Sequence, residues 1–280
     1  MAQLSLWIES ARPKTLIASI SPVIIGSMIA YSHGCFNYFI FLTALLTGIF
    51  LQIGTNLAND YFDTKKGSDR IDRIGPRRVM QLGIVSDQSM KRAISCSFLI
   101  AMCACLYLIV QGGAIISFLF LLAILLGVGY TAGPYALAYI GLGDLCVFLF
   151  FGSVATFMTT YLHTGKFLLE AAIAGIIPGA LSTAILTINN LRDRSSDKRA
   201  LKKTLIVRFG ETFGKWEYTA MILLTFLLST GLTSLLSIFG TILVYKVWNA
   251  KTPHDYIPLL PQTALLLTLY TLLFSLGCLR

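Results

Sequence analysis

One segment of the 280-residue chain, IGTNLANDYFDTKKGSDR, places an amide and two carboxylates on one face of a predicted helix. Asn56, Asp60 and Asp63 stand at i, i+4 and i+7, so their side chains project within about 60° of one another. Carboxylates this close repel one another and need a positive partner, above all beside a bilayer. Carboxylate and amide oxygens are hard ligands that suit Mg²⁺, which completes its shell with water and phosphate oxygens.

A second segment, ILTINNLRDRSSDK, repeats the pattern later in the chain. Asn189, Asp193 and Asp197 stand at i, i+4 and i+8, again on one helical face. If the two faces meet, the six side chains predict a pair of Mg²⁺ ions with coordination sites open for a diphosphate, and the four aspartates become catalytic through the metal. The alternative is that each stripe is a solvated helix end, which suits one aspartate better than two matched motifs.

Basic residues precede and follow these motifs. Some of them orient the protein in the membrane, and others are well placed to contact the outer oxygens of a diphosphate, Arg through two parallel hydrogen bonds and Lys as a point charge. The basic residues predicted to bind substrate are Arg12, Lys14, Lys65, Arg73, Arg77, Arg192 and Lys202.

The stretch 127–152 is rich in Gly, Pro and Tyr and contains no Lys or Arg, which predicts an irregular loop beside the site. Tyr130 and Tyr139 are candidate catalytic residues because their ring faces can stabilise a developing carbocation. Their spacing fits tyrosines at a membrane interface equally well. Asp144 is interpreted as a polar helix-end residue or a contact to the second substrate rather than as a metal ligand.

Composition identifies the elements that must position these side chains. The chain is 56% hydrophobic and 12% charged, with a mean hydropathy of +0.75, whereas soluble domains carry about 25% charged residues. We therefore expect an all-α polytopic membrane protein forming a single domain over residues 1–280. The six cysteines are predicted to be buried small apolar residues. About nine transmembrane helices are predicted, at 16–31, 39–58, 94–110, 114–129, 145–161, 171–188, 219–230, 232–245 and 261–278.

The net charge of +9 would suggest nucleic acid as a partner in a soluble chain, but here the positions of the charges favour a lipid bilayer instead. With the N-terminus inside, every basic residue except Lys166 and Arg280 falls on the inner side, as the positive-inside rule expects. The pattern predicts an N-in, C-out protein of a bacterial cytoplasmic membrane, with the site facing the cytoplasm and no nucleic-acid partner. If the second and sixth helices correspond, the chain forms two quasi-equivalent four-helix halves plus one helix, with the ligand between the halves.

The sequence resembles the UbiA-type intramembrane aromatic prenyltransferases over about residues 8–215. The segments that carry the resemblance are ARPKTLIASISPVIIG, QIGTNLANDYFDTKKGSD, RIGPRRVMQLG, GYTAGPYALAYIGLGD and NNLRDRSSDKRALKKTLIVRFG. The resemblance implies a nine-helix bundle whose two Asp-rich motifs hold Mg²⁺ and diphosphate, and Lys202 matches the lysine of a GKxTL segment of the family. Leu201 stands where that segment usually has Gly, and Asp144 stands where Glu is common.

The same resemblance implies the reaction, which is transfer of a polyprenyl group from polyprenyl diphosphate to an aromatic acceptor. The branch that acts on 1,4-dihydroxy-2-naphthoate is the most similar, and it implies loss of CO₂ and formation of demethylmenaquinol. The acceptors 1,4-dihydroxy-6-naphthoate and 4-hydroxybenzoate remain alternatives. A secondary transporter is a remote alternative, because its acidic groups are expected near the bilayer midplane rather than at helix ends.

Overall fold

The computed structural model describes residues 2–67, 79–80 and 83–279. The predicted phosphate contacts Arg73 and Arg77 lie outside the described residues. Within the described residues the chain is helical and contains no β-strand, as predicted. The helices are α1 (Ala2–Ala11), α2 (Pro13–Ser32), α3 (Tyr38–Lys65), α4 (Asp87–Gly129), α5 (Leu137–Ile140), α6 (Gly143–Phe148), α7 (Ala155–Thr164), α8 (Leu169–Ala174), α9 (Ile176–Arg199), α10 (Leu205–Phe209), α11 (Glu211–Leu228), α12 (Ser237–Asn249) and α13 (Leu259–Cys278).

Short irregular helices connect some of these elements. A π-helix, Leu149–Val154, joins α6 to α7, and 3₁₀ helices precede α12 at Gly231–Leu236 and α13 at Pro253–Tyr256. Seven segments within the described residues are long and apolar enough to cross a membrane, which makes the chain an integral membrane protein. They are Pro13–Ser32, Tyr38–Lys65, Asp87–Gly129, Gly143–Thr164, Leu169–Arg199, Gly231–Asn249 and Pro253–Cys278.

Helix α4 reverses direction at Gly113, which has non-helical backbone angles of φ 65° and ψ −151°. Before the break Phe98 packs on Gly54 of α3, and after it Gly127 packs on the adjacent Thr55. In an unbroken helix Phe98 and Gly127 would be about 44 Å apart, so both can reach neighbouring residues of α3 only if the chain doubles back. A left-handed φ is accessible to Gly at little cost, which explains why the reversal falls there.

The break predicted between 228 and 232 is also present. Helix α11 ends at Leu228, and the next helix begins at Gly231, whose φ is 57°. Helix α11 is more polar than the seven segments, because Glu211, Lys215 and Glu217 lie in its first two turns.

Helix α9 lies at the centre of the molecule and carries the second acidic motif at its end. Its segment is the most deeply buried of the seven, and it packs on α2, α6, α11 and α13. Against the end of α6 the approach is backbone to backbone, since a Cβ on Gly179 would lie 2.4 Å from the Phe148 carbonyl oxygen. This close contact fixes α9 against the helix that carries Asp144.

The prediction that all six cysteines are buried is wrong. Only Cys105 is buried, while Cys35, Cys96 and Cys103 are exposed and the other two are half-buried. Cys96 and Cys103 belong to α4, which also exposes apolar side chains such as Leu99 and Leu106. An outward face of a membrane span meets lipid rather than water, so apolar character there does not imply burial within the protein.

Candidate active site

A cavity of about 340 Å³, lined by charged and amide side chains together with apolar ones, lies between the α1–α2 junction, α3 and α9. It brings parts of both acidic motifs together, because Asn56 and Asp60 line one wall and Asn189 and Arg192 line another. The predicted phosphate contacts Arg12 and Lys14 line the same cavity. The sequence prediction that the two motifs share one site is therefore consistent with the arrangement of the helices.

Asn56 ties the first motif to the start of α2. Its Nδ2 donates to the carbonyl oxygen of Ala11 at 2.9 Å, and its Oδ1 accepts from Nε2 of Gln52 at 3.2 Å. The adjoining Arg12 has a left-handed φ of 54°, an unusual conformation for a residue with a side chain. The α1–α2 turn, which presents Arg12 and Lys14 to the cavity, is thus fixed by the motif itself.

Asp60 and Asp63 are both buried on α3, with 2% of each residue exposed. Asp63 accepts a hydrogen bond from the Tyr139 hydroxyl at 3.2 Å and lies 3.7 Å from the Nζ of Lys202. Because Lys202 follows the second motif in the chain, this ion pair connects the two motifs directly. A metal ion could replace Lys202 at this carboxylate, and a phosphate could replace the carboxylate at Lys202.

Tyr139 lies among ammonium groups. The Nζ of Lys66 is 4.2 Å from the centre of its ring, and that of Lys202 is 5.7 Å away. Burial is the largest cause of a lowered pKa at Lys66, opposed by Asp63 and reinforced by Lys202. In this arrangement the ring of Tyr139 contacts protein cations and its hydroxyl positions Asp63.

An ion pair within α9 connects the side chains of the second motif. Arg192 donates from Nε and Nη2 to the two carboxylate oxygens of Asp193, both at 2.8 Å, and from Nη2 to Oδ1 of Asn189 at 2.5 Å. The side chains of Arg192 and Asp193 are 5% and 4% exposed. A buried carboxylate requires such a partner, and here the guanidinium supplies the positive charge that the sequence assigned to Mg²⁺.

Tyr130 occupies the space between the motifs. Its ring packs on Gly143, where a Cβ would lie 2.9 Å from the hydroxyl oxygen. Burial is the largest cause of a raised pKa at Tyr130, and nearby carboxylates add to the shift, so the hydroxyl stays protonated at neutral pH. Those carboxylates are Asp144, Asp197 and Asp63.

A second cavity of about 250 Å³ adjoins the first between α2, α3, α4 and the α6–α7 segment. Its wall is chiefly apolar, with Val23, Ala44, Leu108, Ile116 and Phe120 among its lining residues. The two cavities share five lining residues, so a cavity with charged lining residues and an apolar cavity adjoin at a common wall. The shared residues are Gln52, Thr55, Tyr130, Val147 and Phe151.

Three of the described residues predicted to bind substrate are not among those that line the cavities, namely Lys65, Asp144 and Lys202. Lys65 forms an exposed ion pair with Asp87 at 2.5 Å, at the start of α4. Asp144 is buried, and its Oδ1 has no hydrogen-bond partner among the described residues. It interacts electrostatically with Glu217 of α11, which also hydrogen-bonds Thr187. A phosphate contact for Lys65 and an acceptor contact for Asp144 remain predictions.

Several lining residues did not stand out in the sequence. Gln52 lies four residues before Asn56 and Ser182 lies seven before Asn189, so each extends an acidic stripe by helical spacing. That spacing is a usable signal that was missed. Phe151 offered none, because one phenylalanine in an apolar span looks like any other.

The charged end of the cavity has donors that suit a hard divalent cation. Within the described residues no three His, Cys, Asp or Glu side chains converge closely enough to hold a metal ion, since Asp63 and Asp193 contact Lys202 and Arg192 instead. The donor set nevertheless consists of carboxylate and amide oxygens, which Mg²⁺ prefers.

The chain is similar to a known protein family, to curated relatives and to solved structures. The model of the UbiA prenyltransferase family matches residues 19–255. The chain is 36% identical to 1,4-dihydroxy-2-naphthoate octaprenyltransferase of Escherichia coli (strain K12), over 97% of this chain and 94% of that protein. It is 35% identical to the Haemophilus influenzae protein of the same name, over 99% and 96% of the two chains. The structure of a UbiA homolog from Archaeoglobus fulgidus bound to DMAPP and Mg²⁺ aligns over 98% of both chains, with a TM-score of 0.68 and 13% identity.

Proposed function

The chain belongs to the UbiA prenyltransferase family, and we propose that it transfers a polyprenyl group from polyprenyl diphosphate to 1,4-dihydroxy-2-naphthoate, releasing diphosphate and CO₂. The observation that carries this proposal is that the charged cavity and the apolar one adjoin at five shared lining residues. A polyprenyl diphosphate has the same division into a charged head and a long apolar tail. The acceptor is assigned from the two naphthoate octaprenyltransferases, which align over almost their whole lengths.

Magnesium fits the donor set at the charged end. We infer that Asn56, Asp60 and Asp63 hold it from α3 and that Asn189, Asp193 and Asp197 hold it from α9. When bound, Mg²⁺ would neutralise the negative charge that develops on the departing diphosphate. The aspartates would have to exchange their present contacts with Lys202 and Arg192 for the metal, which leaves both cations available to the phosphate oxygens.

The basic residues bind and orient the diphosphate in this proposal. Arg12 and Lys14 line the cavity from the α1–α2 turn and Arg192 lines it from the second motif, while Lys202, in the segment that follows, pairs with Asp63. Guanidinium groups give bidentate phosphate contacts and ammonium groups give point charges. Lys65, Arg73 and Arg77 are proposed as further phosphate contacts on sequence grounds alone.

Bond cleavage is placed at the junction of the two cavities. There the allylic carbon would lie beside Tyr130 and Phe151, whose rings stabilise positive charge while the surrounding apolar side chains exclude water. The electron-rich ring carbon of the acceptor forms the new C–C bond. Because that carbon carries the carboxylate, breaking its bond to CO₂ restores the aromatic ring. Asp144 is proposed to lie near the acceptor from its place beside Tyr130.

The proposed topology follows from the helix breaks. Counting the reversal at Gly113 as a hairpin and adding α11 to the apolar segments gives nine spans, arranged as two four-helix halves plus α13 in one domain. The basic residues favour an N-in, C-out orientation in the bacterial cytoplasmic membrane. The charged cavity would then face the cytoplasm, where soluble aromatic acids have direct access.

The proposal is tested with purified protein, Mg²⁺, polyprenyl diphosphates of several lengths and a panel of aromatic acids. The product with 1,4-dihydroxy-2-naphthoate should have the mass expected after loss of CO₂, and 1,4-dihydroxy-6-naphthoate and 4-hydroxybenzoate should react poorly. Asp60→Asn and Asp193→Asn should each lower turnover at least about a hundredfold by removing charge from the metal site. Glu170→Gln, a loss of one acidic charge at an exposed pair with His33, is the matched control. Near-normal turnover in either aspartate variant contradicts the metal assignment.

A further inference from the structure

Ser182 lines the charged cavity, and its buried hydroxyl has no hydrogen-bond partner in the described part of the chain. Ser182 is 3% exposed, and its Oγ is a buried atom that makes no hydrogen bond among the described residues. The neighbouring hydroxyls on α9 behave differently, because Thr183 donates to the carbonyl oxygen of Gly179 and Thr187 to that of Thr183, both at 2.9 Å. An unpaired buried hydroxyl is unfavourable, so a polar group that enters the cavity is its natural partner.

Part of the lining of the charged cavity comes from α2, α9 and α13, which pack against one another, and we call this part the arm. The arm is defined by Ala18 of α2, by Ser182, Ile185 and Leu186 of α9, and by Leu260 of α13. Among the described residues, none of these five lines the apolar cavity that continues toward α4. The arm therefore lies off the route proposed for the polyprenyl tail and offers room to a second substrate.

The dimensions and polarity of the arm suit a small aromatic acid. Ser182 and Asn189 lie seven residues apart on one face of α9, which separates them by about 10 Å along the helix axis. Arg192 adds positive charge at the Asn189 end, and the wall between is apolar. A planar apolar ring with a carboxylate at one end and a hydroxyl toward the other matches this order of groups.

We propose that this arm binds the aromatic acceptor and that Ser182 makes a hydrogen bond to the acceptor's 4-hydroxyl group. The inference rests on the proposed function and adds the position and the recognising residue of the second substrate. With the carboxylate-bearing carbon at the junction beside Tyr130 and Phe151, the 1-hydroxyl stays near the charged end. The 4-hydroxyl, which is farther from the carboxylate on the ring, is the group that extends toward Ser182.

The test compares 1,4-dihydroxy-2-naphthoate with 1-hydroxy-2-naphthoate in wild type and Ser182→Ala. The two acceptors differ only in the 4-hydroxyl, which is meta to the attacked carbon and therefore activates it little. Ser182→Ala should lower kcat/KM for the dihydroxy acid roughly three- to tenfold, the effect of one neutral hydrogen bond, and change that for the monohydroxy acid by less than about twofold. The KM for polyprenyl diphosphate should be unchanged.

Thr183→Val is the matched control, since it removes the adjacent buried hydroxyl that bonds only to the helix backbone. It should affect the two acceptors equally. Equal losses with both acceptors in Ser182→Ala, or a change confined to the KM for polyprenyl diphosphate, overturns the inference and leaves the proposed function intact. Failure of the wild-type protein to prenylate either acid overturns the proposed function, and the inference falls with it.

Discussion

Replacing Arg192 by Met should destabilise the protein and make its stability depend more strongly on Mg²⁺. Arg192 and Asp193 are almost fully buried, and the guanidinium makes two 2.8 Å hydrogen bonds to the carboxylate. Removing the cation takes two hydrogen bonds and the adjacent positive charge away from a buried carboxylate, which lowers the free energy of unfolding by about 3–5 kcal/mol. Met keeps most of the apolar stem of Arg, so the loss reports mainly on the charge.

Magnesium should restore more stability to Arg192→Met than to wild type. In wild type the guanidinium contacts both carboxylate oxygens of Asp193, so a metal ion must displace it, whereas in the variant no guanidinium has to be displaced. A ligand present at about one hundred times its Kd stabilises the folded state by about 2.7 kcal/mol, enough to recover much of the loss. The double variant Arg192→Met/Asp193→Asn, which has no buried charge at this position, should regain stability without Mg²⁺.

The assay is thermal unfolding in detergent, followed by tryptophan fluorescence with and without Mg²⁺. We expect the Tm of Arg192→Met to fall by several degrees in the absence of metal and to rise on adding Mg²⁺ by more than the wild-type Tm rises. The double variant should show the smallest response. Equal Mg²⁺ responses in Arg192→Met and in the double variant would refute the placement of a metal ion at Asp193.

Three further substitutions have outcomes set by local geometry. Tyr139→Phe removes the hydroxyl that donates a hydrogen bond to Asp63. It should lower kcat/KM about tenfold or more, the effect of a hydrogen bond to a charged group, with little change in Tm. An unchanged kcat/KM would show that this hydrogen bond does not position the carboxylate. Leu201 is 77% exposed with a φ of 57°, so Leu201→Gly should be more stable than Leu201→Ala by about 0.5–1 kcal/mol in thermal unfolding, the reverse of the usual order. Gly179→Ala places a Cβ against the Phe148 carbonyl oxygen and should lower the free energy of unfolding by about 1–3 kcal/mol. Gly277→Ala, where a Cβ would meet open space, should be close to neutral. Equal Tm values for the two variants would contradict the close packing at Gly179.

The acidic stripes could be identified from sequence because they need only the geometry of a single helix. Once Asn56, Asp60 and Asp63 are placed on α3, their shared face follows from 100° per residue. The reversal of α4 was equally accessible, since two glycines interrupt an apolar run too long for one crossing. The left-handed φ of Leu201 explains physically why Gly is the usual residue at that point of the family segment.

The partners of the charged side chains could not be read from one sequence. Whether Arg192 points to a phosphate or to Asp193 is a choice of rotamer within one turn of helix, and sequence spacing allows both. The burial of Cys103 was predicted wrongly for a related reason, because hydropathy does not separate a lipid-facing side of a span from a protein-facing one. Ser182 was overlooked because a serine in an apolar helix usually bonds to its own backbone.

Release of CO₂ is the measurement that tests the proposed reaction most directly. With carboxyl-labelled 1,4-dihydroxy-2-naphthoate, polyprenyl diphosphate and Mg²⁺, the purified protein should release labelled CO₂ in a one-to-one ratio to prenylated product. Release should stop when the diphosphate or Mg²⁺ is omitted and in Asp193→Asn. A prenylated product that retains the label, or product formed equally well without Mg²⁺, would contradict a metal-dependent transfer to the carboxylate-bearing carbon.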